Sequence, residues 1–182
     1  NLLTGNSSSS DAMEQELKLL EKDLLASAET LQRARHQIAK ALESEIKTEL
    51  CDLYMDKADF KVTFTKGKFN RDGNEQVEFY ISTNPGESFK PLVKVASGGE
   101  LSRLMLAIKS AFARKEDKTS IVFDEVDTGV SGRVAQAIAQ KIHKIGSHGQ
   151  VLAISHLPQV IAIADYQFFI SKESDNETTV SR

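Results

Sequence analysis

The fold is decided by the stretch Val95-Ala-Ser-Gly-Gly-Glu-Leu-Ser-Arg-Leu-Met-Leu-Ala-Ile-Lys109. It opens with a Ser-Gly-Gly turn, and its apolar residues then recur at the spacing of one helix face. Backbone N–H groups at a helix start and the helix dipole attract anions, and glycine lets a phosphate come close. A serine-capped amphipathic helix, with Ser97 as the cap and Glu100 closing a capping box, explains the same residues equally well. The functional interpretation therefore depends on whether the rest of the chain supplies partners for a phosphate.

The composition predicts one ordinary soluble domain with an appendage. The chain has 182 residues, of which 40% are hydrophobic and 27% charged, and its net charge of −3 gives no overall sign of nucleic-acid binding. The single Cys51 excludes an internal disulfide framework and a cysteine-based zinc site, and it fits a reducing cytosol. No apolar run approaches the roughly 20 residues of a membrane span, and no signal peptide is visible, so we expect a cytoplasmic protein without a membrane partner.

The first third of the chain predicts a coiled-coil arm. Residues 1–12 have the low complexity of a linker or a cut end, and residues 13–55 read as one long helix without Gly or Pro. Its seam alternates spacings of three and four, as in a heptad repeat: Leu17, Leu20, Leu24, Ser27, Leu31, Ala34, Ile38 and Ala41. The phase then moves, as at a stutter, to Leu42, Ile46, Leu50 and Leu53. We expect this helix to pair with a partner helix; a long surface helix lying on the domain is the alternative.

Residues 56–95 switch to the alternation of strands. Phe60–Phe64 and Val77–Ile81 predict an antiparallel hairpin with a turn-rich connection. Four basic residues make it locally positive: Lys61, Lys66, Lys68 and Arg71. Such lysines either block strand addition at a sheet edge or touch DNA, and the sequence leaves both open.

From residue 99 onward the elements predict an α/β layered lobe. In chain order we expect helix 99–115, strand 120–123, helix 133–145, strand 150–154, a short helix from Pro158 to about Asp165, and a strand at 166–170 that pairs with 177–180. The strands at 120–123 and 150–154 are continuously apolar, which is typical of parallel strands buried on both faces.

Two of these strands end in groups suited to phosphate chemistry. Asp124-Glu125 follows one strand and Ser155-His156 follows the next. An aspartate there holds Mg²⁺, the adjacent glutamate polarises an attacking water, and His156 would donate to the same phosphate. The non-functional alternatives are that Asp124-Glu125 is an acidic loop exposed to solvent and that His156 is a turn histidine whose hydrogen bonds stay within the chain. No P-loop accompanies them, because the Gly67-Lys68 pair lacks its pattern. We therefore predict that this chain does not hydrolyse ATP unaided.

The motifs resemble those of ABC-type ATPases in order and spacing. Ser97–Glu100 is similar to the signature motif, Ile121–Glu125 to Walker B, Val126–Gly129 to the D-loop and Ser155-His156 to the switch histidine. More narrowly, four stretches have a more specific pattern: 81–86, 94–103, 123–136 and 155–159. Through them the chain, from about residue 13 to 172, closely resembles the bacterial RecN family of DNA repair proteins, which is related to the structural-maintenance-of-chromosomes (SMC) proteins. The resemblance implies an α/β fold, namely the C-terminal lobe of an ABC-type (P-loop NTPase) ATPase head at 56–182, with a long coiled-coil helix and a β-hairpin.

The resemblance also implies roles for single residues. Asp124 would bind Mg²⁺, Glu125 would position the hydrolytic water, and His156 would contact the γ-phosphate of ATP. The turn and the residue after it would belong to an ATP-binding surface. This surface caps the γ-phosphate held by an opposite head and consists of Ser97, Gly98, Gly99 and Glu100. Asp127 would lie at that same interface. Arg103 would stabilise the interface or the base of the arm, and a simple salt bridge is the alternative.

The partners implied are the protein's own N-terminal head lobe and arm helix, a second copy bound through the heads, and DNA double-strand break ends, in a cytoplasmic protein associated with the nucleoid. Three alternatives stay open: the ATP-binding part of a membrane transporter, another SMC or Rad50-type scaffold ATPase, and a non-enzymatic coiled-coil adaptor with an ABC-like lobe. The heptad helix argues against the first of these, and an intact Asp124-Glu125 argues against the last.

Overall fold

A computed structural model describes residues 4–95, 98–112, 120–124, 126–175 and 178–181. The chain divides into two compact units. The first comprises the described residues up to Lys47 together with Lys57–Lys94, and the second comprises Thr48–Asp56 together with the described residues from Val95 onward.

Helix α1 runs from Thr4 to Asp52. It therefore starts nine residues before the predicted position at 13 and takes in most of the serine-rich segment. Glycine and serine are weaker helix formers than alanine by less than about 1 kcal/mol each. Adding a turn to an existing helix needs no new nucleus, so the long helix behind this segment extends through it.

The burial of α1 explains the shift in its heptad phase. Leu17, Leu20 and Leu24, on the first seam, are 58%, 61% and 47% exposed. The later apolar positions are buried in their respective units: Leu42, Ile46, Leu50 and Leu53. The first seam is thus still exposed at Ile38, although another face of α1 already packs on the hairpin through His36, and the second seam is the one that the chain itself buries.

The first unit is completed by a hairpin against α1. Strand β1 (Asp59–Asn70) pairs antiparallel with β2 (Gly73–Ser82), which also pairs with the short β3 (Lys90–Pro91) ahead of a 3-10 turn at Leu92–Lys94. The predicted hairpin is confirmed, and its strands extend through most of the predicted connection. Phe60 and Val62 are buried, and the backbone N–H of Val62 donates to Glu43 of α1 over 2.8 Å. The His36 ring stacks on Phe64 at 3.9 Å between centroids.

The second unit holds the α/β lobe. Its elements are α2 (Gly98–Phe112), β4 (Ser120–Phe123), α3 (Gly132–Gly146), β5 (Gln150–Ala153) and α4 (Pro158–Ile161). β4 and β5 are parallel and in register from Ser120 with Gln150 to Phe123 with Ala153. Helix α2 buries Leu104 and Ala107 on one face and Leu106 on another, and α3 buries a face that includes Ile138.

Two expectations about this lobe are wrong. The apolar run at 166–170 forms no strand; the strand lies further on, as β6 (Lys172–Asp175), paired antiparallel with β7 (Thr178–Ser181). The strands of the parallel pair are also not buried on both faces, because Val122 is 62% and Leu152 48% exposed. The end of predicted helix 99–115 falls partly outside the described residues, which stop at Phe112 and resume at Ser120.

Candidate functional site

The site is built at the carboxyl edge of the parallel strands. The backbone N–H of Ile154 donates to the Phe123 carbonyl over 2.9 Å, which extends the parallel pairing one residue beyond β5. Asp124 and Ser155 therefore leave the sheet from neighbouring strands at the same edge. This is the edge of an open α/β sheet at which ligands bind.

Asp127 is the centre of the polar contacts at this edge. Its side chain is 3% exposed, and one carboxylate oxygen, Oδ2, accepts hydrogen bonds from the Ser155 hydroxyl and from the His156 backbone N–H, the latter over 3.3 Å. The Ser155 hydroxyl oxygen in turn accepts the N–H of Leu157 over 3.1 Å. One buried carboxylate thus fixes the backbone of the histidine loop.

The same carboxylate leaves the histidine side chain available. His156 Nδ1 lies 3.7 Å from Asp127 Oδ2, and the imidazole is 78% exposed. The backbone of His156 is held in place while its ring is exposed to solvent. The ring can therefore donate a hydrogen bond to a ligand at the surface of the lobe.

The loop from Val126 to Ser131 joins this edge to α3. Gly129 has a φ of +71° and Gly132 a φ of +55°, the left-handed region that glycine adopts without strain. The Val130 N–H donates to the Asp127 carbonyl over 3.3 Å. These features turn the chain tightly, so that Asp127 faces inward while Thr128 is exposed.

The first turn of α2 lies against that loop. A Cβ built on Gly99 would lie 2.8 Å from the Thr128 carbonyl oxygen and 3.6 Å from Nη1 of Arg103. A Cβ on Gly98 would meet nothing within 4 Å. Gly99 is therefore required for close packing, whereas Gly98 leaves open backbone at a helix N-terminus.

The residues predicted for the site are partly brought together. Gly99 and Asp127 meet through the loop that carries Thr128, and Asp127 holds His156. Gly98 and Asp124 are exposed at helix and strand ends, and Glu100 is half-buried in the first turn of α2. Ser97 and Glu125 lie outside the described residues. Sequence reasoning missed the hydroxyl of Ser155; the only sign of it was its position directly before the histidine at a strand end.

This edge of the sheet carries some, but not all, of the groups that a nucleotide-binding site needs. Asp124 offers carboxylate oxygens of the kind Mg²⁺ takes, and His156 and the start of α2 offer donors for phosphate oxygens. Among the described residues no group of three or more His, Cys, Asp or Glu side chains could hold a metal ion. These residues therefore fit a nucleotide with Mg²⁺ only if other residues contribute further ligands to the same site. In the same part of the chain, no helix combines the length and the apolar character that crossing a membrane requires.

Solved structures with a similar fold define the class. The chain is similar to the Smc head domain with a coiled coil and joint from Pyrococcus yayanosii, with a TM-score of 0.58 and 17% identity, over 83% of this chain and 28% of that one. It is also similar to the Smc head domain with an extended coiled coil from Pyrococcus furiosus, with a TM-score of 0.54 and 18% identity, over 79% of this chain and 35% of that one. The fold is that of one lobe of an SMC-type head domain with its coiled-coil helix.

Sequence relatives identify the family within that class. The chain is 54% identical to the DNA repair protein RecN of Halalkalibacterium halodurans over 88% of its own length, and 48% identical to that of Bacillus subtilis over 94%. It matches 29% and 32% of these two relatives, so it spans about a third of their length. The chain belongs to the RecN family and corresponds to its C-terminal part. No protein-family model matches the chain.

Proposed function

We propose that this chain is the C-terminal part of an SMC-like ATPase that acts in DNA double-strand break repair and recombination. The observation that supports this most directly is the buried carboxylate of Asp127. It joins the loop that packs on Gly99 to the histidine loop, so two phosphate-facing elements are held as one unit. Membership of the RecN family supports the class of reaction and of target.

The chain's own residues divide the work on ATP. Asp124 would hold Mg²⁺, Glu125 would orient and deprotonate the attacking water, and His156 would donate a hydrogen bond to the γ-phosphate. When bound, Mg²⁺ neutralises charge that develops on the phosphoryl oxygens. Asp127 acts on His156 by holding the backbone before the ring, which keeps the donor in place while substrate exchanges.

The start of α2 would serve a second copy of the protein. Its signature residues Ser97, Gly98 and Gly99, with Glu100, would cap the γ-phosphate held by an opposite head, because an open helix N-terminus attracts an anion. The loop of Asp127 would lie at the same interface. Its carboxylate is already occupied within its own chain, so exposed Thr128 is the part of that loop that meets the opposite head.

The whole protein would need parts beyond this chain. Its partners would be its own N-terminal head lobe, which supplies the P-loop, an arm helix that covers the exposed seam of α1, a second head, and DNA ends. ATP binding would drive head engagement and tethering, and hydrolysis would release them. A protein with this task would be cytoplasmic and associated with the nucleoid. The chain by itself is proposed to lack ATP turnover.

The test uses the full-length protein with Glu125→Gln and Ser97→Arg. Each is expected to lower DNA-stimulated ATP hydrolysis by about 10²-fold or more, because the first removes a general base and the second blocks the capping turn. Ser97→Arg is also expected to abolish tethering of DNA ends. Asp165→Asn, an exposed carboxylate of the same unit, is the matched control and should keep both activities. Unchanged hydrolysis and tethering in both variants would refute the assigned roles, and magnesium-dependent turnover by this chain alone would refute its proposed inactivity.

A further inference from the structure

At the far end of the β1–β2 hairpin, the β1 side is exposed, whereas Gly73 and Asn74 of β2 lie against α1. Burial along β1 alternates as far as Val62, and from Thr65 to Asn70 every residue is exposed. We define the segment Lys66–Asp72 as the ribbon tip. A strand end without buried apolar residues contributes little to folding, so its side chains are free for contacts outside the chain.

The ribbon tip carries concentrated positive charge. Lys66 and Lys68 form no ion pair within the described part of the chain, and the side chain of Arg71 is 92% exposed beside Asp72 at 3.7 Å. The carboxylate directly opposite Lys66 belongs to Glu75, which is turned inward: it is 12% exposed and contacts His36 Nε2 at 3.2 Å. Three exposed cations thus face one exposed acid at the ribbon tip, in a chain whose net charge is −3.

The shape of the ribbon tip restricts the partner. It is a two-stranded antiparallel ribbon whose register shifts between Lys66 and Asn70, which increases the local twist. Because Gly73 and Asn74 of β2 lie against α1, the exposed β1 side of the ribbon is the part that the phosphate backbone of a duplex can reach. Phe69, 44% exposed between Lys68 and Asn70, adds an aromatic side chain at the same place.

We propose that the ribbon tip binds the phosphate backbone of double-stranded DNA through Lys66, Lys68 and Arg71. This rests on the proposed function in one respect, that the protein acts on DNA. The proposal goes beyond that function by naming the surface that contacts DNA. The competing explanation is that β1, an edge strand of its sheet, uses lysines only to prevent strand addition.

The experiment measures binding of this chain to a fluorescent 30-base-pair duplex by anisotropy between 50 and 200 mM salt, without nucleotide. The triple variant Lys66→Gln, Lys68→Gln, Arg71→Gln is compared with a control of equal charge change on exposed positions of α1, namely Lys18→Gln, Lys22→Gln, Lys40→Gln. Three phosphate contacts contribute a slope of about −2.7 to the dependence of log K on log salt. The tip variant should lose about that much slope and at least about tenfold affinity at 50 mM salt, whereas the control should keep both.

Three results would overturn the proposal. They are no binding by the parent chain, equal losses in the tip and control variants, and binding of the parent to phosphatidylglycerol vesicles but not to the duplex. The first would leave edge protection as the role of the lysines, and the last would identify an anionic membrane as the partner. Because the assay contains no ATP, it is independent of the proposed ATPase. An inactive full-length enzyme with intact duplex binding would refute that function and leave the ribbon tip assignment standing.

Discussion

Replacing Lys141 with alanine should destabilise the second unit more than any other single charge change there. The Lys141 ammonium donates hydrogen bonds to Glu49 and, over 2.6 Å, to Asp52, both in the last turn of α1. The side chains of Lys141 and Glu49 are 8% and 6% exposed, whereas that of Asp52 is 56% exposed. Lys141→Ala therefore leaves one buried carboxylate without its cation and one exposed carboxylate that water can solvate.

The size of the effect follows from this difference in burial. Removing one partner of a buried pair costs about 3–5 kcal/mol, because the remaining charge stays desolvated. The exposed Asp52 adds less than about 1 kcal/mol. We expect Lys141→Ala to lower the free energy of unfolding by about 3 kcal/mol or more, a large part of the roughly 5–15 kcal/mol that a domain has. The double variant Lys141→Met, Glu49→Leu should recover to within about 1 kcal/mol of the parent, since apolar residues of similar volume often replace a buried pair without loss.

The assay is urea unfolding followed by circular dichroism, with Lys144→Ala as the control. Lys144 is an exposed lysine one turn further along α3, and its removal should cost less than about 1 kcal/mol. If Lys141→Ala cost no more than this control, the reasoning from buried charge would be refuted. If the double variant were as unstable as the single one, lost packing rather than an orphaned charge would be the cause.

Four further substitutions probe the lobe, each measured as the change in free energy of unfolding. Gly99→Ala should cost about 1–3 kcal/mol, because the added methyl carbon would lie 2.8 Å from the Thr128 carbonyl, whereas Gly98→Ala, with open space around it, should be neutral within about 0.5 kcal/mol. Leu106→Ala should cost about 2–5 kcal/mol, since that side chain is fully buried. Asp127→Ala should cost about 1–3 kcal/mol by leaving donors of the histidine loop without an acceptor, and a smaller effect would show that water replaces the carboxylate.

The elements that could be predicted are those whose pattern depends on local sequence and on packing within the chain. Phe60 and Val62 alternate with polar residues, and they are buried on one face of the hairpin. The run 120–123 and the run 150–153 lie in a parallel pair because a helix of sufficient length, α3, connects them. The helical spacing of Ile138, Lys141 and Ile142 puts all three on one face of α3, and all three are buried.

The elements that could not be predicted depend on partners that spacing does not reveal. The run at 166–170 has the composition of a strand, yet Phe168 and Phe169 are 87% and 90% exposed and form no ladder. A strand needs a neighbour with which to exchange backbone hydrogen bonds, and the parallel sheet of the described residues ends with β5. Phe168, Phe169 and Val122 are large apolar side chains left exposed, of the kind that a partner surface covers. This agrees with a chain that spans about a third of its relatives' length.

In the candidate site, Asp127 likewise combines a feature that the sequence predicts with one that only the structure reveals. The resemblance to ABC-type ATPases implies that Asp127 lies at an interface with another head, whereas no spacing could reveal that its carboxylate is 3% exposed and accepts hydrogen bonds from Ser155 and the His156 backbone. A carboxylate held in this way cannot also reach across an interface without releasing the histidine loop. If the loop meets an opposite head at Thr128, any displacement there is transmitted through Asp127 to His156. The movement of His156 on head engagement would then depend on one buried carboxylate. Asp127→Asn keeps the shape of that side chain and removes its charge, so it should weaken the movement of His156 while leaving ATP binding intact.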